Sequence, residues 1–404
     1  MSAVTERPVE ASAKRGLGLL LASTGVSVTG DGMLLAAAPL MAAALSRDPL
    51  AVASVSAAGY AAWLLVGLPA GALVDRWNRR VVMVASDLGR AAVLLAFVLL
   101  VLSDNATIAS LAVAVFLVGV GSCFFDPAAQ AVIPMIVGRD KDQLSRANGR
   151  LWALDTFGRS LAGPPAGAAA FAASRVLPFG LDAGSFVLSA ALVSRLPAPP
   201  VKPAVQHAPM LRAIKAGMAH LVGHPELRTV TLGMASYNLG YNVAFATLVL
   251  YAQDVLNLGT LGFGLLIASG ALGGIAGGWL APRISGALSA RSAYALTLGV
   301  QAAAWLTLLL AGNAWVAGVA LVFVGIASTT GSVVGGSTRQ LHTPDEMLGR
   351  VVSSTRLFGI GSAALGSVLG GVVADAGGLG APFVVAAGLL ALASLAFVAV
   401  RPPR

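Results

Sequence analysis

The sequence predicts an all-α membrane protein of 12 transmembrane helices in two six-helix bundles. Apolar residues make up 57% of the chain and charged ones 11%, with a mean hydropathy of +0.84. A soluble fold of that composition would leave too much apolar surface facing water. Long, nearly charge-free runs recur along the whole length. Lys and Arg collect in every second gap between them, as in Arg76, Arg79 and Arg80, whereas the opposite gaps hold only Arg47 and Arg175. Cationic loops stay in the cytoplasm during insertion, so this bias sets both the number and the direction of the spans.

In order, the runs are 17–45, 51–73, 81–103, 107–136, 150–173 and 177–195, then 229–253, 260–281, 292–312, 315–337, 351–375 and 381–400. Each is near or above the roughly 20 residues a helix needs to cross the hydrocarbon layer. A strand barrel is excluded, because its segments run to about 10 residues and alternate in polarity. Residues 1–16 read as a cytoplasmic tail. Lys14 and Arg15 before an apolar run resemble a secretory signal, but the run continues through Asp31 to about Leu45 without a cleavage site, as an uncleaved span does. The N-terminal bundle is then 17–196 and the C-terminal bundle 229–404. Pro197, Pro199, Pro200, Pro203 and Pro209 stiffen a cytoplasmic linker over 197–228. Within it Met210, Leu211, Ile214, Met218 and Leu221 recur at helical spacing, opposite Arg212 and Lys215, which suits a helix on the inner membrane surface. Both termini are expected in the cytoplasm, with the protein in the inner (plasma) membrane.

The two bundles echo one another. Gly149-Arg150 opens the fifth span and Gly349-Arg350 the eleventh, and Gly71 to Arg76 at the end of span two has a looser counterpart ending at Arg283. Parallel repeats of this kind build secondary transporters that rock about a central site. Glycines four apart, as in Gly163/Gly167 and Gly366/Gly370, allow helix backbones to approach closely.

Several function classes fall away. The formal charge is +9, but the basic residues stand singly at helix ends, as topology and anionic lipids favour, so no nucleic-acid partner is expected. His220 and His224 share a helix face without an acid or thiol nearby, so no metal or other cofactor is expected. None of the lysines (Lys14, Lys141, Lys202, Lys215) follows a glycine, so no phosphate-binding Walker loop exists. No catalytic cluster appears either, and the chain reads as a non-enzyme.

The polar residues inside the spans are the candidates for work. Asp31, between Gly30 and Gly32 midway along span one, is the first choice for substrate binding and proton coupling. Ionisable groups in such places face cavities and mark ion routes, although a lasting hydrogen bond to a neighbouring helix is the alternative. Asp126, beside Pro127 in span four, is a second proton carrier. Asp155 and Arg159 stand one helical turn apart on span five, a pair that either neutralises itself or leaves Arg159 for an anionic substrate. On span seven Tyr237, Asn238, Tyr241 and Asn242 form two i,i+4 pairs, read as one polar-aromatic cavity wall for an amphipathic molecule or as interhelical hydrogen bonding. Gln301 in span nine is a further binding candidate. Arg356, near the inner end of span eleven, could gate or snorkel to the lipid surface.

Gly71-Ala-Leu-Val-Asp75-Arg76-Trp77-Asn78-Arg79-Arg80 resembles the signature loop of the major facilitator superfamily, with Asn78 where glycine is usual. The resemblance implies that Asp75 caps a neighbouring helix and that Arg76, Arg79 and Arg80 lock the halves with the outer side closed. It also implies that Asp126 can pair with those arginines as a gate. Gly163-Pro164-Pro165-Ala166-Gly167 resembles the glycine-proline signature of members that export by antiport, although Arg159 replaces a small residue and an ordinary kink would also explain it. Gly30-Asp31, Phe125-Asp126-Pro127-Ala128, Arg146-Ala147-Asn148 and Gly349-Arg350-Val351 are similar to the macrolide-efflux and siderophore-exporter branch. The implied protein is a secondary active transporter that expels an amphipathic small molecule by proton-coupled antiport with alternating access, acting as a monomer in the lipid bilayer. Proton-coupled uptake, or a receptor or assembly partner that transports nothing, are the alternatives.

Overall fold

Helices dominate the computed structural model, which describes residues 3–74, 76–138, 140–196 and 210–399; among these there is no strand. The first half contains α1 (Ala3–Leu45), α2 (Pro49–Val74), α3 (Arg79–Leu102), α4 (Ile108–Val137), α5 (Lys141–Asp155), a π-helical segment (Thr156–Ala162), α6 (Gly163–Ala173) and α7 (Leu177–Ser194). The second contains α8 (Met210–Gly223), α9 (Pro225–Phe245), α10 (Leu248–Asp254), α11 (Thr260–Ala287), α12 (Ala290–Leu309), α13 (Ala314–Leu341), α14 (Asp345–Gly377) and α15 (Ala381–Ala399). The first helix starts at Ala3, inside the stretch expected as a tail. The proline-rich run 197–209, Asp75 and Arg139 lie outside the described residues.

Helix starts follow ordinary capping chemistry. Asn78 accepts from the N–H groups of Arg80 and Val81 to open α3, Thr107 and Ser110 form a reciprocal capping box on α4, and Ser289 and Asn313 cap α12 and α13. Ten helices among the described residues are long and apolar enough to cross a bilayer. Large apolar side chains point outward from them, including Leu99, Leu310, Trp315 and Leu392, as a hydrocarbon solvent permits and water does not. The other two expected spans, the fifth and seventh, are present as interrupted helices. In span five the cause is local. Pro164 and Pro165 supply no N–H to the carbonyls four residues back, and the helix widens, with the Gly163 N–H donating to the Gly158 carbonyl five residues earlier. Span seven breaks between α9 and α10, where Thr247 leaves helical geometry (φ −114°, ψ 8°).

The chain forms two compact units, Met1–Ala38 with Leu65–Val205, and Pro39–Leu64 with Gln206–Arg404. In the first, α3 packs against α4 and α7, and α1 lies directly on span five. A Cβ on Gly32 would stand 2.5 Å from the Gly158 carbonyl oxygen, and one on Gly163 would stand 2.5 Å from the Cα of Gly32. Gly167 meets the Met33 backbone in the same seam. Only glycine allows that approach.

In the second unit α12 packs on α13 and α15, and α9 on α14. Gly366 and Gly370 meet the carbonyls of Leu239 and Val243 there. Helix α8, expected to rest on the membrane surface, also packs against α14, with Gly217 beside the Arg350 carbonyl. The α1–α2 turn belongs to this unit. Arg47 donates to Gln253 at 2.7 Å and pairs with Asp254 at the end of α10, and Gly371 of α14 abuts Leu50 and Ala53.

Candidate functional site

The first unit buries a network of ions. Asp31 is held between two guanidiniums. Its Oδ2 lies 3.1 Å from Nη2 of Arg159 and its Oδ1 lies 3.8 Å from Nη1 of Arg90. Arg159 also binds Asp155 through Nε at 3.0 Å, as the i,i+4 spacing anticipated. Arg90 pairs with Asp87 one turn earlier on α3, and its guanidinium sits 4.0 Å from the Phe186 ring centroid and 4.8 Å from that of Phe125. Such cation–π contacts replace part of the hydration a buried arginine gives up. Arg90 is 2% exposed and Asp87 is fully buried.

Asp182 of α7 completes the network. It is fully buried; Oδ1 accepts from Ser185 at 3.1 Å, while Oδ2 has no partner. Asp31, Arg90 and Arg159 are its charged neighbours. The flanking glycines of Asp31 now have a reason. A side chain on Gly30 would collide with the Asp182 carboxylate and the Ser185 hydroxyl, and one on Gly32 with the π-helical segment. Widening of span five and the Gly-Asp-Gly of span one therefore place Arg159 against Asp31. π-helical insertions concentrate at functional sites, and here the insertion carries the arginine.

Asp126 also belongs to this network. Its charged neighbours are Arg159, Asp31, Arg90 and Asp155, which corrects the expected pairing with the signature-loop arginines. Arg79 instead reaches the Met135 sulfur at 3.3 Å, and Arg80 donates to the Ser194 carbonyl at the end of α7, a favourable place for a cation. Arg76 is exposed, Trp77 stacks on Phe124 with ring centroids 6.2 Å apart, and Gly71 has open space around it. Asp75, expected as a helix cap, is not among the described residues.

The second unit buries neutral groups. Tyr237 and Tyr241 stack with centroids 5.9 Å apart, Tyr241 stacks on Phe245 at 5.1 Å, and Trp305 of α12 meets Tyr241 edge-on at 6.0 Å. The Tyr237 hydroxyl donates to Ser328 of α13 at 2.6 Å. The wall expected as one face is in fact two. Asn238 and Asn242 turn toward α14, at Gly359 and Gly366, since consecutive helix positions point about 100° apart. Their amides each donate at 2.8 Å to the carbonyl one turn back. Gln301 is fully buried with both amide atoms unpaired, and four residues on, the Trp305 indole N–H is equally buried and unpaired. Arg356 does not run to the lipid surface alone; its guanidinium lies 4.5 Å over Trp63.

Sequence reasoning missed Asp87, Arg90 and Asp182. The signal was the one applied to Asp31, an ionisable residue inside an apolar run. The spacing of Asp87 and Arg90 is also a helical ion-pair spacing.

Comparison with known proteins places this geometry among transporters. Residues 20–359 match the family described as Major Facilitator Superfamily. The multidrug efflux pump Tap of Mycolicibacterium fortuitum is 28% identical, with 97% of each chain covered. Among solved structures, a bacterial homologue of the iron transporter ferroportin superposes with a TM-score of 0.75 at 17% identity, covering 95% of this chain and 98% of that one. The nucleoside transporter NupG superposes with a TM-score of 0.77 at 11% identity, covering 95% and 99%. At those identities the solved structures speak for the fold alone.

Proposed function

Because the chain belongs to the Major Facilitator Superfamily, whose members are transporters and not enzymes, we propose that it exports an amphipathic small molecule by proton-coupled antiport with alternating access. The observation that carries this reading is the charge imbalance of the first unit. Among the described residues, Asp31, Asp87, Asp126, Asp155 and Asp182 have Arg90 and Arg159 as their cationic neighbours. Asp155 is nearly half exposed, but the other four carboxylates still outnumber two guanidiniums in a low-dielectric interior, an imbalance that favours holding protons on the network and exchanging them. Among the described residues no cluster suited to a metal ion competes for that role.

Asp31 is the pivot, because it touches both arginines. When it takes a proton, Arg159 is left to Asp155 and Arg90 to Asp87. That redistribution links the proton to the packing of α1 on span five, where Gly32 and Gly163 leave no slack. The aromatic stack of Tyr237, Tyr241 and Trp305, with the unpaired Gln301 amide, suits a cargo that is mostly apolar with a few hydrogen-bonding points. The 28% relative named as a multidrug efflux pump supports the outward direction. The charge bias supports placement in the inner (plasma) membrane with both termini in the cytoplasm, and the protein works as a monomer.

The test is transport in liposomes under an imposed pH gradient, with a panel of lipophilic dyes and antibiotics. Cargo moving against the proton flow, with the gradient dependence lost in Asp31→Asn, is the expected result. Cargo moving with the protons establishes uptake instead. No movement of any cargo favours a receptor or assembly role, and unchanged gradient dependence in Asp31→Asn removes that residue from the coupling.

A further inference from the structure

The second unit carries a groove that the transport reading does not use. It follows α12 between α9 and α15 and encloses about 1120 Å³, above the roughly 300–1,000 Å³ of ordinary small-molecule pockets. Its two ends are chemically opposite. At the first turns of α9 and α12 stand Arg228, Arg291, Ser289 and Ser292, with Glu226 as the acid in the lining. Farther along α12 the walls are apolar, through Leu296, Val300 and Ala303.

Both arginines are available. No ion pair among the described residues involves Glu226, Arg228 or Arg291. Arg291 is half-buried, and its Nη1 is sealed from solvent without a hydrogen-bond partner. The N-terminus of α12 begins at the same place and adds its own positive end. A groove on the first unit, about 710 Å³ between α3 and α4, lacks this feature. Its one arginine is Arg90, which Asp87 and Asp31 already engage.

We propose that the α9–α12–α15 groove binds an anionic glycerophospholipid, with its phosphate on Arg228 and Arg291 and an acyl chain lying along the apolar stretch. A basic pocket between helices at the membrane surface, opening into an apolar channel, matches a molecule with an anionic head and an oily tail. The charge bias of the loops puts that end of α9 and α12 on the cytoplasmic side, so the lipid comes from the inner leaflet. The site is independent of cargo and direction.

The test offers purified protein equal amounts of phosphatidylglycerol and phosphatidylcholine in mixed micelles and quantifies the lipid that co-elutes, by mass spectrometry. Wild-type protein retains phosphatidylglycerol preferentially. Arg291→Gln and Arg228→Gln each lower that preference about fivefold, the effect of one basic residue at a membrane surface. Ala303→Trp, which fills the apolar stretch and leaves every charge in place, lowers retention of phosphatidylglycerol, so the proposal stays testable even if an arginine variant folds poorly. Arg283→Gln, at the end of α11 outside the groove, leaves the preference intact. Equal retention of the two lipids by wild type overturns the proposal. So does full retention by Ala303→Trp, or a loss in Arg283→Gln as large as in Arg291→Gln, which would reduce the effect to net charge.

Discussion

In the first unit the buried polar groups include ions: Asp87 and Asp182 are wholly enclosed and Arg90 nearly so, beside the neutral Ser23, Ser27 and Ser189. In the second they are uncharged, as with Gln301, Thr247 and Asn242, set among Tyr237, Tyr241 and Trp305. The two interiors thus differ in chemistry. Buried charges are costly without partners, so they demand a fixed geometry, supplied in the first unit by the glycine seam between α1 and span five. Neutral amides and aromatic rings cost less to leave partly unpaired and adapt to many shapes. The difference suits a division of labour, with ion handling in one unit and cargo contact in the other.

The contrast can be tested most forcefully at Arg90. Replacing it by Leu leaves Asp87 buried without its counter-ion, and the loss of one partner of a buried pair costs about 3–5 kcal/mol. Arg90→Leu should therefore lower the thermal unfolding midpoint sharply, and the double variant with Asp87→Asn should recover part of it. No recovery would mean that the pair is not the source of the cost. Next is Gly30→Ala, whose added methyl meets Asp182 and Ser185; overpacking of this kind costs about 1–3 kcal/mol. The measurement is again thermal unfolding, with Gly18→Ala, which has open space, as the unaffected control. In the second unit Tyr237→Phe removes one hydrogen bond to Ser328, worth about 0.5–1.5 kcal/mol. It should shift cargo affinities while leaving the pH dependence of transport unchanged. The smallest effect belongs to Arg47→Gln. Both partners of the Arg47–Asp254 pair are about half exposed, so its loss should cost about 0–1 kcal/mol and vanish in high salt.

Much of the fold was legible because hydropathy and loop charge are strong one-dimensional signals. The interruption of span five was half legible: Gly163-Pro164-Pro165 announced a distortion, but not that it would be a π-helical widening carrying Arg159 toward Asp31. That outcome depends on where the orphaned carbonyls find donors, which is a three-dimensional matter. Asp31 and the Asp155–Arg159 pair were readable from position and spacing. Asp126 was given the wrong partners, because the loop arginines find Met135 and the end of α7 instead. The single wall expected on span seven separated into two for a simple angular reason, with Tyr237 and Asn238 facing different helices. Nothing in the spacing could show that Gln301 and Trp305 lack partners, since that depends on what α9 and α13 present to them.

Proton release on cargo binding tests the central claim most directly. Purified protein in weakly buffered detergent solution receives a tightly bound cargo, and a pH-sensitive dye follows the protons. Wild-type protein should release protons as cargo binds, Asp31→Asn should bind cargo with the release abolished, and Tyr241→Ala should lose affinity while releasing the same number of protons per cargo bound. Undiminished release from Asp31→Asn would contradict the assignment of coupling to the charged network of the first unit.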